Sequence, residues 1–219
     1  MPRTSRASRG GVVCHVLNLG NGGNDVFHQY DDFAAIVYLM RKAHEKVPMW
    51  LTGFCPMTNH IYLLLWPHED EDLSRWMQWL MTSHVRRCHR HYQGSGHVWQ
   101  GRFKAFPVQS DEHYLTVLRY VERNPLRANM VERSHGWEWS SLKPTVRNGP
   151  EGLLCDGPIL KPAQRTRHVN GAETEAELQA LRHSLARGTP FGDTHWQTKT
   201  AAILSLQSSL RPLGRPKRQ

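Results

Sequence analysis

The sequence contains no long apolar run. Its apolar runs, Ile61 to Trp66 among them, fall far short of the roughly 18 residues needed to cross a bilayer. The opening Met1-Pro2-Arg3-Thr4-Ser5-Arg6 leads into no leucine-rich export segment. Neither a membrane protein nor a secreted one is expected, and no membrane partner. Cysteine is also scarce. Cys14, Cys55, Cys88 and Cys155 are widely spaced with no C-x-x-C pair, which argues against a disulfide framework and against a zinc knuckle. The expected compartment is reducing and cytoplasmic. Acid is in short supply: 19 aspartates and glutamates face 28 lysines and arginines, for a formal charge of +9. That excess favours a polyanionic partner but does not separate DNA, RNA and anionic lipid.

What is present suffices for one full domain and a small appendage, with 39% hydrophobic residues in 219. Residues 1–10 carry Arg3, Arg6 and Arg9 without an acid and read as a basic flexible arm. The β-branched run from Val12 to Leu19 predicts a first strand, closed by Gly20-Asn21-Gly22-Gly23-Asn24. Asp31 or Asp32 can cap a helix bearing Phe33, Ile36, Val37 and Met40 at spacings of three and four. Strands follow over Met49 to Cys55 and His60 to Trp66, separated by a turn at Pro56 to Asn59. Leu73, Trp76, Met77, Leu80, His84 and Cys88 keep helical spacing to about Tyr92, and Phe103 to Gln109 reads as a fourth strand. Ser110 can cap a further helix that ends at Asn124-Pro125, because the residue before proline disfavours the α region. The order β-α-β-β-α-β plus one helix predicts an α+β fold of the ferredoxin-like, split βαβ kind. This domain should cover residues 11–142, followed by a linker or irregular cover at 143–172, a helical hairpin at 173–209 and a basic tail at 210–219.

Four groups of residues could carry chemistry. On a strand, His60 and Tyr62 project from one face while Ile61, Leu63 and Leu65 project from the other. Two histidines so placed would chelate a divalent metal, but a neutral phenol is a poor ligand, so an ordinary polar pair on a half-buried strand is equally open. His89 and His91 resemble a chelate in text, yet helical spacing drives them apart. Tyr120 and Asn124 lie one helical turn apart, as a candidate nucleophile and an amide able to help hold a cation. Tyr114 competes from another face, and a core tyrosine with Asn124 as a cap is the plainer alternative. From His84 to Phe106, Arg86, Arg87, Arg90, Arg102 and Lys104 meet no acid and alternate with Tyr92, Trp99 and Phe103. Such a stretch either binds phosphates and stacks unpaired bases or forms a solvated face over a core strand. Arg215, in Gly214-Arg215-Pro216-Lys217-Arg218, is similar to the core of a minor-groove hook, or belongs to a solubilising tail.

In order, these pieces resemble the single-tyrosine HUH transposases, in particular the REP-associated tyrosine transposase branch. The residues that carry the likeness are Met57-Thr58-Asn59-His60-Ile61-Tyr62-Leu63-Leu64-Leu65, Asp72-Leu73-Ser74-Arg75-Trp76-Met77, Val98-Trp99-Gln100-Gly101-Arg102-Phe103-Lys104, and Tyr114-Leu115 through Leu118-Arg119-Tyr120-Val121-Glu122-Arg123-Asn124-Pro125-Leu126-Arg127-Ala128, with Trp137 to Ser141. The resemblance implies an enzyme that binds hairpin and single-stranded DNA, then nicks and rejoins it through a covalent 5′-phosphotyrosine. It also implies a Mg2+ or Mn2+ ion held by two histidines. By position, Tyr120 would be the nucleophile, His60 and Asn124 metal ligands, and Arg86, Arg87, Arg90, Arg102 and Lys104 DNA contacts. The implied location is cytoplasmic and nucleoid-associated, as monomer or homodimer. One position departs from the family pattern: Tyr62 stands where the second histidine is expected. Loss of an imidazole should weaken metal binding about 10- to 100-fold or more. A non-catalytic hairpin-DNA binder is therefore the alternative reading, and His113 is a candidate replacement ligand. An RNA-binding module of the same element order is a third, without the central-strand aromatic signature.

Overall fold

The structure, a computed structural model, describes residues 9–143 and 152–211. Four antiparallel strands form one sheet in the order β2-β3-β1-β4: β1 (Cys14–Leu19), β2 (Met49–Met57), β3 (His60–Pro67) and β4 (Lys104–Pro107). Helices α1 (Tyr30–Lys46) and α2 (Asp72–Tyr92) connect β1 to β2 and β3 to β4. This is the expected split βαβ arrangement, with β3 and β1 at its centre.

Alternation along the central strands makes two cores. Cys14, Val16, Ile61, Leu63 and Leu65 face α1 and α2, meeting Phe33, Ile36, Met40, Trp76, Met77 and Leu80. Val13, Leu17, Tyr62, Leu64 and Phe106 face the opposite way and are covered by α3 (Glu112–Arg127) through Tyr114, Val117, Leu118 and Val121. The register shift between Leu51 and Gly53 is a bulge. At Gly53 a Cβ would come within 2.5 Å of a Leu118 methyl, so glycine is what lets α3 lie close on the sheet.

Several boundaries differ from the sequence expectation, each for a local reason. Helix α1 is capped by Gln29, not Asp31 or Asp32. Asp32 is instead the third helical residue of a capping box, accepting from the His28 and Gln29 backbone at 2.9 and 3.3 Å. Asp111, not Ser110, caps α3 by accepting from His113 N at 2.9 Å. Helix α3 runs through Pro125 to Arg127. A proline near a helix end removes only one bond, and the turn is closed by Ala128 N donating to Asn124 O and Met130 N to Pro125 O, both at 2.9 Å.

The segment expected as irregular cover contains a helix, α4 (Arg165–Asn170), and α5 (Glu175–Arg187), α6 (Thr194–Ile203) and α7 (Gln207–Leu210) follow it. Leu178, Leu181 and Leu185 of α5 pack into the α3-side core, so this helix docks on the domain. Charge fastens α4 in the same place. Buried Glu122 of α3 receives the Arg165 guanidinium, through Nη2 and through Nε at 3.2 Å, and the Ser141 hydroxyl at 2.6 Å. Arg165→Met should leave the Glu122 carboxylate buried without its cation and cost about 3–5 kcal/mol in urea unfolding. An unchanged midpoint would show that the extension adds nothing to the fold.

Candidate active site

The site forms where β3 emerges beneath the second half of α3. His60 opens β3, and Tyr62 follows on the same face, 8% exposed, with its ring edge-on to His60 at 4.8 Å between centroids. Tyr120 reaches down from α3 to meet Tyr62 at 5.8 Å. Asn124, one turn further along α3, is buried at 7% exposure, and its amide lies beside the Tyr62 hydroxyl. Thus the four residues singled out in two separate segments, His60, Tyr62, Tyr120 and Asn124, do converge.

Two participants were missed. Arg127 lies two helical turns beyond Tyr120 on the same stripe, with its guanidinium 4.0 Å from the centre of the Tyr120 ring. The i+7 spacing was the available signal, and it was lost by ending the helix at Pro125. His15 on β1 is fully buried, stacked on Phe106 at 4.7 Å and 5.3 Å from the Tyr62 ring, with neither ring nitrogen hydrogen-bonded. Strand alternation puts it on this face, between Val13 and Leu17.

Electrostatics follow from burial and from Arg127. Burial lowers the His60 imidazole to about 4, with the positive charge of Arg127 acting in the same direction. Its Nδ1 meets Asn59 Oδ1 at 2.6 Å, so the neutral ring holds its proton there, and buried Nε2 has no partner. Burial, then the neighbouring Tyr120, pushes the Tyr62 phenol well above the usual value, only partly offset by Asn124 and Arg127. It is a neutral hydrogen-bond donor.

The remaining candidates are distributed elsewhere. Tyr114 is fully buried, with its hydroxyl against Gly157 and Thr52. His113 is bound to Asp111 at 2.8 Å and packs on Phe191. It lies two turns before Tyr120, roughly 10 Å along the helix, and does not replace the missing imidazole. His91 meets Gln29 and His89 meets the Gly96 carbonyl, so they share no ligand. Arg86, Arg90, Arg102 and Lys104 are exposed, and Arg102 rims a groove floored by Met77 and Met81. Arg87 is not a surface cation: it pairs with fully buried Asp32 at 2.6 Å. Two of the three expected stacking residues are likewise internal, whereas Tyr92 is 41% exposed. Trp99 and Phe103 are core residues at 5% and 7% exposure, and the Tyr92 hydroxyl donates to Asp32 at 2.5 Å. Arg215 lies outside the described residues.

The donors present do not fit Mg2+ or Mn2+. Those ions favour oxygen ligands with carboxylates among them. Here there is one imidazole nitrogen, a phenol held neutral and an amide. Among the described residues no group of three histidines, cysteines or acids could hold a metal ion, and none of the helices is long and apolar enough to span a membrane.

Tyr120, on the helix that covers the open face of the split βαβ sheet, thus meets His60 of a central strand through Tyr62. The chain belongs to the IS200-like transposase family, whose model matches residues 12–124. It is 26% identical over 114 residues to a curated REP-associated tyrosine transposase of Haemophilus influenzae, a segment covering 47% of this chain and 64% of that protein. Its fold is similar to that of a solved REP-associated tyrosine transposase bound to a REP hairpin, with a TM-score of 0.53, 18% identity, and coverage of 80% of this chain and 99% of that one.

The surface and internal arginines should separate by experiment. Arg86→Ala and Arg90→Ala are expected to weaken DNA binding and lower its salt slope by about 0.9 for each duplex phosphate no longer neutralised, with little change in melting. Arg87→Ala should destabilise the fold by about 3 kcal/mol by stranding Asp32. A pure binding defect in Arg87→Ala would place that residue back on the DNA surface.

Acid should act through the buried histidines. Burial lowers His15 to about 3 and His84 to about 4, beside His60 at about 4. Unfolded histidines take up protons near 6.5 and the folded ones do not, so stability is lost as pH falls from about 6.5 toward 4, by up to about 1.4 kcal/mol per pH unit for each group. Melting followed from pH 7 to 4 should show this slope, and His15→Phe should reduce it by one proton. A flat profile over that window would mean these imidazoles are not held neutral.

Proposed function

We propose that the chain binds hairpin and single-stranded DNA, and that Tyr120 nicks and rejoins the strand through a covalent 5′-phosphotyrosine. The observation that carries this reading is the convergence of Tyr120 with His60 and Asn124 under the guanidinium of Arg127. Family membership supports DNA as substrate, and the hairpin held by the structural relative supports its shape. In the nick, the Tyr120 hydroxyl oxygen forms a bond to phosphorus and the bond from phosphorus to the 3′ oxygen breaks. The phenol proton is given up and the 3′ oxygen leaves as a hydroxyl, so no co-reactant is consumed. Attack by a 3′-hydroxyl on the phosphotyrosine reverses the exchange and rejoins the strand. Exposed Arg86, Arg90, Arg102 and Lys104 would hold the phosphate backbone.

A second reading, a hairpin binder that does not cut, is favoured by one specific feature: the neutral Tyr62 phenol lies between His60 and Tyr120 where the family pattern has an imidazole. Incubation with a hairpin oligonucleotide carrying single-stranded flanks, in manganese, should give a covalent adduct on a denaturing gel, abolished in Tyr120→Phe and increased about 10-fold or more in Tyr62→His. An adduct in Tyr62→His alone would assign the native chain to the non-cutting reading. One that persists in Tyr120→Phe would move the nucleophile elsewhere.

A further inference from the structure

We infer that the positive charge at the nucleophile of this chain is supplied by Arg127, braced by Glu173 of the C-terminal extension, and that the site handles the scissile phosphate without a divalent cation. The inference rests on Tyr120 being the residue that meets DNA. The donor set already disfavours a metal, because among the described residues no acid acts on His60 or Tyr62, whereas the positive charge of Arg127 acts on both. The geometry supplies a substitute. The guanidinium lies 4.0 Å from the centre of the Tyr120 ring, and its side chain is 23% exposed, open to an incoming phosphate oxygen.

Arg127 is held, not loose. Glu173, with a side chain only 2% exposed, takes Arg127 Nη1 on one oxygen and Arg123 Nε on the other, each at 3.0 Å. Arg127 Nη2 also reaches the Tyr120 carbonyl at 3.4 Å. A guanidinium has five N–H donors, so others remain to grip a phosphate in the forked geometry it favours. Glu173 is therefore a positioning residue, and it comes from a segment beyond the family match at residues 12–124. Tyr62 completes the change. A phenol beside Tyr120 donates a hydrogen bond to a phosphate oxygen, a task that an imidazole coordinating a metal through its lone pair does not perform.

Two measurements on the full chain test this. Manganese binding, followed by the electron paramagnetic resonance of the free ion, should be undetectable for the native protein and appear in Tyr62→His. Adduct formation with the flanked hairpin should be equal in EDTA and in manganese for the native protein and become manganese-dependent in Tyr62→His. Hairpin affinity should fall roughly 10-fold in Arg127→Gln, the loss of one charge-assisted bond. The salt slope should fall by about 0.7, as for one single-stranded phosphate, and only when the hairpin carries its flank. Arg127→Lys should restore the slope. Glu173→Gln should slow adduct formation at saturating DNA while leaving affinity near native, and a cooperative melt of each variant, lowered in Glu173→Gln because two guanidiniums are left with one neutral acceptor, would show both folded. Manganese bound by the native protein, manganese-stimulated cleavage, or an unchanged salt slope in Arg127→Gln would each overturn the inference. No adduct under any condition, with the flank-dependent loss in Arg127→Gln intact, would remove the nicking reading and leave Arg127 as the phosphate cation.

Discussion

Everything at the site depends on β3 being buried on both faces. A central strand with Ile61, Leu63 and Leu65 on one side and Tyr62 and Leu64 on the other cannot leave either side to water. The two crossover helices cover only the first side. The second must be closed by whatever follows β4, and α3 does so through Val117, Leu118 and Val121, approaching closely where Gly53 leaves room. A tyrosine on the inner stripe of that helix is thereby carried onto the face of His60. Packing thus brings together two motifs about sixty residues apart, and the site is a by-product of closing the sheet.

The polar side of α3 has a separate partner. Arg119, Arg123 and Arg127 recur every four residues, and the extension answers them with Glu177 and Glu173, while Arg165 answers Glu122. Exposed pairs contribute little, but Glu122 and Glu173 are nearly sealed from water, where an unmatched charge is costly. This explains why residues 152–211 are not a loose appendage. It also narrows the meaning of the basic excess: the arginines of α3 are paired within the fold, so apart from Arg127 over Tyr120 the unburied cations of the domain lie mainly on α2 and around β4.

What could be read from the sequence follows the range of the interactions involved. The strands, α2 and the His60 and Tyr62 face were legible because periodicity of two or three and a half residues is written locally. Tyr120 with Asn124 was legible for the same reason. Arg87 was misread because its partner, Asp32, is 55 residues away. Trp99 and Phe103 looked like base-stacking residues because aromatic spacing among arginines does not say which way a chain segment faces. The helix end was misplaced by giving Pro125 more weight than it has in a last turn, and Arg127 went with it. The docking of the extension rests on ion pairs between distant segments, for which sequence carries no periodic signal.

The substitution at Tyr62 gains its meaning from its surroundings. An exposed tyrosine in place of histidine would simply delete a ligand. A buried one, lying between His60 and Tyr120, replaces a lone-pair donor by a hydroxyl that stays protonated because ionising it would bury a negative charge. The same low-dielectric pocket that keeps the phenol neutral keeps His60 neutral, and it strengthens the field of any fixed charge nearby. Arg127 is that charge. Such a pocket holds a protein cation over Tyr120 beside two neutral side chains, which is the arrangement that the proposed handling of a phosphate without a divalent ion requires.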